Sequence, residues 1–199
     1  MSRKSLIKKF DKQAKTYDKY RNRDAFYKYR TKIFPEARGS VLEVGVGAGL
    51  NFSLYDENIE LTAVDFSPEM LQKAESASKD YSFQSAFLLA DVEELSFDAN
   101  SFDTIISSLT LCSYEHPVQM LNHFRKWCKP YGKILMLEHG ISSNKPISWV
   151  QKAINPLSLK VAGCHQSRNI RELIQLSDLT CIKEERYIAD CLYLIWAKP

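Results

Sequence analysis

The stretch Val41-Leu42-Glu43-Val44-Gly45-Val46-Gly47-Ala48-Gly49 decides how the rest of the sequence is interpreted. A strand-like run is followed by glycines at alternate positions, which let the backbone turn sharply and lie against a ligand without intervening Cβ atoms. A tight turn that only joins a strand to a helix is the simpler alternative. The stretch therefore predicts either a ligand-binding loop or a structural turn at the end of a strand.

The same stretch departs from two common phosphate-binding motifs. A dinucleotide fingerprint requires a third glycine three residues after Gly47, where this chain has Leu50, and a Walker loop requires the residues GK[ST], which are absent. Residues 41–60 contain no Lys or Arg but include Glu43, Asp56, Glu57 and Glu60. This charge balance disfavours a ligand with phosphate groups and favours a cationic one.

Apolar strand-like runs follow one another at residues 41–44, 61–64, 83–89, 104–107 and 134–137, with helical stretches between them. Ser67-Pro68 and Pro117 are typical helix starts. This alternation predicts an α/β fold with a parallel sheet and helices on both faces. The runs 179–188 and 191–197 are joined too closely for a parallel crossover, so they are predicted to pair antiparallel at one edge.

Carboxylates end two of these predicted strands. Asp65 follows the second strand, where its side chain can accept hydrogen bonds from both hydroxyls of a ribose. Asp91 follows the third strand and can accept one from an adenine amino group, although a plain capping role is equally consistent with its position. Phe66 and Met70 are placed to flank the base, so a nucleoside ligand is predicted.

The first 38 residues are strongly basic, with 13 Lys and Arg against 4 Asp and Glu. Leu6, Phe10, Ala14 and Tyr17 recur at helical spacing, and the run from Phe26 to Ile33 repeats the pattern, so two amphipathic helices are predicted. Three interpretations of the charge stay open: a solvated helical face, contact with an anionic membrane surface, or contact with nucleic acid.

The length of 199 residues, with 45% hydrophobic and 26% charged residues, predicts one globular domain. Five cysteines without a CxxC pair and four scattered histidines show no metal-ligand spacing, so no metal site is predicted. No apolar run reaches the length of a membrane-spanning helix, and the N-terminus lacks the apolar core of a signal peptide. A cytoplasmic location is expected.

Five segments together resemble the class I S-adenosylmethionine (SAM)-dependent methyltransferases. They are Phe10-Asp11-x-x-Ala14-x-x-Tyr17-Asp18, Glu43-x-Gly45-x-Gly47-x-Gly49, Val64-Asp65-x-Ser67-x-x-Met70, Ser101-Phe102-Asp103 and Lys129-Pro130-Tyr131-Gly132-Lys133. The first segment is similar to that of methyltransferases acting on quinone precursors, phospholipids and other small molecules. The family usually has two glycines after Lys-Pro, whereas this chain has Tyr131-Gly132.

The resemblance implies a Rossmann-like seven-stranded sheet with strand order 3-2-1-4-5-7-6 and strand 7 antiparallel. It implies a helical lid at residues 1–38, a SAM-binding domain at residues 39–199, and SAM as the cofactor. The implied cofactor-binding residues are Glu43, Gly45, Val46, Gly47, Gly49, Asp65, Phe66, Met70, Asp91, Val92 and Leu109.

Methyl transfer from a sulfonium is an in-line displacement, so the protein mainly aligns the reactants and excludes water. The resemblance places Tyr17 and the segment 109–113 around the methyl group, and His139 is the candidate base, with a structural loop role as the alternative. Tyr17 and His139 are therefore the predicted catalytic residues, with packing of the lid alone as the alternative for Tyr17. Apolar side chains between Gly140 and Gln166 predict either an acceptor pocket or a helix packed on the sheet.

Three further segments resemble the microsomal alkyl-thiol methyltransferases: Leu111-Cys112-Ser113, Glu138-His139, and Asn155-Pro156 followed by Gly163-Cys164-x-x-Ser167-Arg168. Those proteins usually have Asp where this chain has Asn155, and they carry an N-terminal membrane anchor where this chain has a basic arm. The resemblance favours a lipophilic thiol as the acceptor, ahead of phospholipid amines and quinone precursors.

Two other classes of function stay open. A nicotinamide-dependent dehydrogenase uses a related fold, but Leu50 and Glu43 argue against it. A nonenzymatic protein that binds a membrane surface or nucleic acid through its basic arm is the second, and nucleic acid is the less favoured partner. A SAM-dependent methyltransferase with a small-molecule substrate is the favoured function.

Overall fold

Seven strands form one central sheet in the computed structural model, which describes residues 3–21 and 23–199. Within these residues the strands are β1 (Ser40–Val44), β2 (Glu60–Asp65), β3 (Gln84–Leu89), β4 (Phe102–Ser108), β5 (Cys128–His139), β6 (Thr180–Tyr187) and β7 (Leu192–Lys198). The α-helices are α1 (Arg3–Lys19), α2 (Tyr27–Arg30), α3 (Pro68–Ser78), α4 (Pro117–Trp127), α5 (Lys145–Ala162) and α6 (Ile170–Leu176).

The strand order is β3-β2-β1-β4-β5-β7-β6, which confirms the predicted topology. Strands β1 to β5 are parallel, and β7 pairs antiparallel with both β5 and β6. Val44 at the end of β1 pairs with Val64 on β2 and with Ser107 on β4. The carboxyl ends of these strands therefore meet at one edge, where an open α/β sheet binds its ligands.

Both faces of the sheet are covered. Val41 packs in one buried cluster with residues of α3, whereas its neighbour Leu42 packs in a second cluster with residues of α4 and α6. Successive side chains of a strand point to opposite faces, so the near-continuous apolar strands are explained by burial on both sides. The Ser67 side chain caps α3 by accepting a hydrogen bond from the Met70 N–H at 3.2 Å, as the Ser-Pro start predicts.

The N-terminal 38 residues divide into two parts. Helix α1 matches the first predicted amphipathic helix, but the second predicted helix is only the single turn α2 and is followed by a 3₁₀ turn at Phe34–Glu36. Ile33 and Phe34 are fully buried against the sheet. Pro35 removes a backbone donor and stops the helix, and the apolar residues that suggested a helical face are core residues instead.

Two connections differ from the predicted alternation of strands and helices. Residues 45–59 between β1 and β2 contain only a 3₁₀ turn at Phe52–Leu54, because alternate glycines and the Asp56-Glu57-Asn58 turn leave no room for a helix. Strand β5 is longer than its apolar run 134–137, since Cys128 already pairs with Phe102 before a bulge. Apolar periodicity therefore overestimated the first helix and underestimated this strand.

The outermost strand β6 is largely exposed and carries a row of charged residues. Lys183 and Glu185 form an ion pair at 2.8 Å, and Arg186 and Glu184 form another at 3.1 Å. Each pair joins a positive and a negative side chain two residues apart on the same face of the strand. They face solvent at the edge of the sheet, away from the carboxyl ends of β1 and β2.

Candidate active site

The loop after β1 is the centre of the candidate site. Gly45 and Gly47 have φ values of +63° and +56°, a left-handed conformation that favours glycine. A Cβ on Gly45 would lie 2.5 Å from the Thr110 methyl group, whereas one on Gly47 would meet nothing within 4 Å. The loop therefore packs tightly against the loop after β4 at Gly45 and is open to a ligand at Gly47.

Asp65 joins this loop to the end of β2. Its Oδ2 accepts a hydrogen bond from the Gly47 N–H at 2.8 Å, and its Oδ1 accepts one from the Ser67 N–H at 2.8 Å. Burial raises the pKa of Asp65 to about 6, although the backbone donors oppose this shift. A carboxylate accepts about four hydrogen bonds, so the backbone donors, which include the Phe66 N–H, leave acceptor capacity for a ligand hydroxyl group.

A cleft lies between this loop and α1. Seven of the predicted cofactor-binding residues line it, together with the predicted catalytic Tyr17. They are Gly45, Gly47, Asp65, Phe66, Met70, Val92 and Leu109, of which Asp65 was assigned to the ribose. Phe10 of α1 packs edge to face on the Phe66 ring, with the centroids 5.4 Å apart, so α1 covers the cleft.

The other predicted cofactor residues lie around the cleft rather than along it. Glu43 is buried and accepts hydrogen bonds from the Asn51 amide at 2.6 Å and the Tyr55 hydroxyl at 2.7 Å. Burial raises the pKa of Glu43 to about 7. Glu43 and Val46 line a smaller recess that continues the cleft behind the glycine loop.

The surroundings of Gly49 and Asp91 indicate structural roles. A Cβ on Gly49 would lie 2.5 Å from the Phe52 ring, so this glycine allows close packing. The Asp91 carboxylate accepts a hydrogen bond from the Glu93 N–H at 3.1 Å and caps a short 3₁₀ turn. The contact of Asp91 with an adenine amino group stays a prediction.

A buried arginine at this site was not recognised in the sequence. Arg30 is 4% exposed and lines both the cleft and the recess. Its Nη2 lies 3.7 Å from the Asp24 carboxylate, while its Nε and Nη1 have no hydrogen-bond partner among the described residues. A buried guanidinium with two unused donor groups is suited to bind a carboxylate of a ligand.

The loop after β4 is held by the buried Glu138. This carboxylate accepts hydrogen bonds from the Ser107 hydroxyl at 2.6 Å, the Thr110 N–H at 3.2 Å and the Leu111 N–H at 3.1 Å. Burial raises the pKa of Glu138 to about 7. Leu109 has a φ of +60°, so the loop adopts a strained turn that this network stabilises.

Two cysteines and the predicted base His139 converge beside this loop. The His139 Nε2 lies 2.8 Å from the Cys164 Sγ, and the ligand atoms of His139, Cys164 and Cys112 all lie within 4.8 Å of one another. Hydrogen bonding from Cys112 and His139 lowers the pKa of Cys164 to about 5, although burial opposes this shift. Burial lowers the pKa of His139, but its contact with Cys164 outweighs this effect and raises it.

Tyr17 and Arg168 border this cluster. Burial raises the pKa of the Tyr17 phenol, and the neighbouring Cys112 raises it further. The Arg168 guanidinium donates hydrogen bonds to the Leu111 carbonyl, at 2.7 Å, and to the Tyr114 carbonyl. The segment after α5 therefore fixes the loop that leads from the cleft to the cysteines.

Comparison with known proteins agrees with this geometry. A family model described as a methyltransferase domain matches residues 42–136. Phosphatidylethanolamine N-methyltransferase of Cereibacter sphaeroides is 31% identical over 128 residues, 63% of this chain and 63% of that protein. Thiol S-methyltransferase TMT1A of Homo sapiens is 24% identical over 169 residues, 82% of this chain and 69% of that protein.

Among solved structures, a SAM-dependent methyltransferase from Leishmania major has a TM-score of 0.72 at 16% identity, covering 98% of this chain and 82% of that chain. This likeness shows the fold. The chain spans less than two thirds of the length of the Cereibacter relative. The matched family model and the related methyltransferases agree with the glycine loop, the acidic end of β2 and the strand order, and together they support a class I SAM-dependent methyltransferase.

Proposed function

We propose that this protein transfers the methyl group of SAM to the sulfur of a small lipophilic thiol. The observation that carries this proposal is the cluster of His139, Cys112 and Cys164 next to the loop that lines the cleft. A thiol reacts as its thiolate, so a site for thiols needs groups that remove or stabilise a proton close to the methyl donor. His139 is the proposed proton acceptor.

The proposed position of SAM follows from the groups around the cleft. Asp65 would accept hydrogen bonds from the ribose hydroxyls, Phe66 and Met70 would flank the adenine, and Arg30 would bind the methionine carboxylate. Glu43 and the carboxylates nearby provide a negative environment for the ammonium and sulfonium groups. In this orientation the sulfonium methyl group would lie on the side of the cleft lined by Leu109.

The proposed reaction is a single displacement. The acceptor thiol loses its proton, the resulting sulfur attacks the methyl carbon, and the bond from that carbon to the sulfonium breaks. The products are a methyl thioether and neutral S-adenosylhomocysteine. Alignment and exclusion of water supply the acceleration, and Tyr17 is proposed to close the side of the cleft that faces α1.

The acceptor is tested by incubating the protein with methyl-labelled SAM and three acceptors: a small alkyl thiol, phosphatidylethanolamine and a demethylated quinone. Label is expected on the thiol, and His139→Asn is expected to reduce this transfer while the Kd for SAM changes less than twofold. His123→Asn, on the outer helix α4, is the matched control. Transfer only to an amine or to a ring carbon would overturn the thiol assignment.

Arg30→Met is expected to raise the Kd for SAM by about tenfold to a hundredfold. Charge-assisted hydrogen bonds contribute roughly 1.5–3 kcal/mol, and each 1.4 kcal/mol is tenfold in affinity. Calorimetric titration with SAM measures the change, and thermal unfolding checks that loss of the Asp24 contact leaves the fold intact. Arg125→Met, exposed on α4, is the control. A Kd within twofold of that of the parent protein would reject this role for Arg30.

We also propose peripheral contact with an anionic membrane surface, through which a lipophilic acceptor would reach the site. Helix α5 exposes large apolar side chains: Trp149, Val150, Ile154, Leu157 and Val161. Basic α1 lies beside it, since the Lys9 ammonium donates to the Lys160 carbonyl. No helix among the described residues is long and apolar enough to cross a bilayer. A surface of this kind combines apolar insertion with attraction to anionic lipids.

At low salt the protein is expected to sediment with vesicles that contain phosphatidylserine and to remain unbound with pure phosphatidylcholine vesicles. The double variant Trp149→Ser/Leu157→Ser is expected to lose most of this binding, because it removes apolar surface from α5. Leu176→Ser, which changes an equally exposed leucine at the end of α6, is the matched control. Equal binding to both kinds of vesicle, or none to either, would contradict the proposal.

A further inference from the structure

We infer that Cys112, His139 and Cys164 form a zinc site whose fourth position binds the acceptor thiol. The inference rests on the proposed function for the identity of the acceptor, but the metal site itself stands on geometry. The ligand atoms lie within 4.8 Å of one another, although the residues come from three separate parts of the chain. Two thiolates and an imidazole are the donor set of a known type of catalytic zinc site.

The distances suit a small tetrahedral ion. With Zn–S bonds of about 2.3 Å and Zn–N bonds of about 2.0 Å, neighbouring ligand atoms stand roughly 3.5–3.8 Å apart. The His139 Nε2 and the Cys164 Sγ are now 2.8 Å apart. Insertion of the ion therefore requires these two side chains to separate by less than about 1 Å.

The surrounding structure orients the two cysteine ligands. Gly163 ends α5 with a φ of +76° and turns the chain back, so that Cys164 faces the end of β5. The Gln166 amide lies 3.7 Å from the Cys164 Sγ, and the Cys112 Sγ lies 3.5 Å from the Leu109 carbonyl. Such outer contacts hold metal ligands in place before the ion binds.

The cluster provides three ligands and no fourth in the part of the chain that the structure describes. Structural zinc sites are usually closed by four protein ligands, whereas catalytic sites keep one position for water or substrate. Two thiolates neutralise the charge of Zn²⁺, so binding of a substrate thiolate gives one net negative charge. Arg168, bonded to the Leu111 carbonyl beside Cys112, is placed to offset this charge.

Zinc would perform the activation that the proposed function assigns to a base. The acceptor thiol replaces a bound water, transfers its proton to solvent, and remains on the metal as a thiolate. Its sulfur then attacks the SAM methyl carbon, and the carbon–sulfonium bond breaks. The thioether product is a weaker ligand and leaves, and the metal keeps its oxidation state throughout. His139 acts here as a ligand through Nε2, so the roles of base and ligand exclude each other.

The test measures metal binding independently of methyl transfer. The full chain, purified under reducing conditions, is expected to contain about one zinc per molecule and to take up Co²⁺ with the visible bands of a tetrahedral site and thiolate charge-transfer bands. Cys112→Ser, Cys164→Ser and His139→Asn are each expected to lose most of the metal. Cys181→Ser and Cys191→Ser are the matched controls and are expected to retain it.

The outcomes separate this inference from the proposed function. The metal site would be rejected if the reduced protein contained no zinc and took up no cobalt. A Cys112–Cys164 disulfide in place of the metal would also reject it. Full-rate thiol methylation by chelator-treated, metal-free protein would overturn it while supporting the proposed function. A bound metal that needs all three residues, in a protein that methylates only amines, would support the metal site and reject the thiol acceptor.

Discussion

A variant that lacks residues 1–20 is expected to remain folded but to lose turnover by at least about a hundredfold, because misplacement of reactants by even 1 Å has effects of that size. Phe10 and Ala14 of α1 pack on Met70 and on the glycine loop, and Tyr17 lines the cleft. Removal of α1 would open the cleft to water and release SAM from one side. Circular dichroism and a thermal melt measure the fold, and labelled SAM measures turnover.

The deletion must not extend to residue 38. Ile33 and Phe34 are fully buried in the core, so deletion of the whole basic arm is expected to unfold the protein and would say nothing about a lid. We therefore propose that the lid is confined to α1. The full chain with Lys4→Ser and Lys8→Ser is the control for loss of charge alone. A truncated, folded protein that methylates at the full rate would reject the lid.

Asp65→Ala is expected to weaken SAM binding at least about tenfold, and more if both ribose hydrogen bonds are lost, since charge-assisted bonds contribute roughly 1.5–3 kcal/mol each. Asp65→Asn keeps the shape of the side chain and one of its oxygens, so a smaller loss is expected. The Asp65 carboxylate also accepts hydrogen bonds from Gly47 and Ser67, and the asparagine variant separates ligand binding from loop support. Calorimetry at about pH 7.5 measures the Kd for SAM of both variants.

The pH dependence provides a second measurement. The pKa of Asp65 is raised to about 6 by burial. Its ionised form is the proposed acceptor of the ribose hydroxyls. Affinity is therefore expected to fall as the pH drops below about 6 in the parent protein, and to be less sensitive to pH in Asp65→Asn. Asp98→Asn, an exposed residue, is the control. An unchanged Kd in both Asp65 variants would reject the ribose assignment.

The sequence predicts the parts of the site whose residues lie next to a recognisable strand. Asp65 directly follows an apolar strand, and the glycines directly follow another, so the strand order alone brings them to one edge. No comparable signal marks Arg30, which is one of 13 basic residues in the first 38. Its burial depends on how the chain between α1 and β1 folds onto the sheet, and that packing is not encoded in a short motif.

The cluster of Cys112, His139 and Cys164 is even harder to predict from the sequence. Cys112, His139 and Cys164 are separated by 27 and 25 residues, and metal motifs are recognised by ligands a few residues apart. Only the pairing of β4 with β5, and the return of the chain after α5, bring the three side chains together. Their resemblance to residues of alkyl-thiol methyltransferases marked them as notable without indicating that they touch.

The charged strand β6 has a consequence for association between copies of the protein. An edge strand presents unpaired backbone groups on which a strand of another molecule can add, and such pairing starts many aggregates. A second chain pairing with β6 would have to place its side chains next to the charged side chains from Lys183 to Arg186 and disrupt their ion pairs. The sheet is therefore expected to end at β6, which protects crowded or newly synthesised molecules from joining edge to edge.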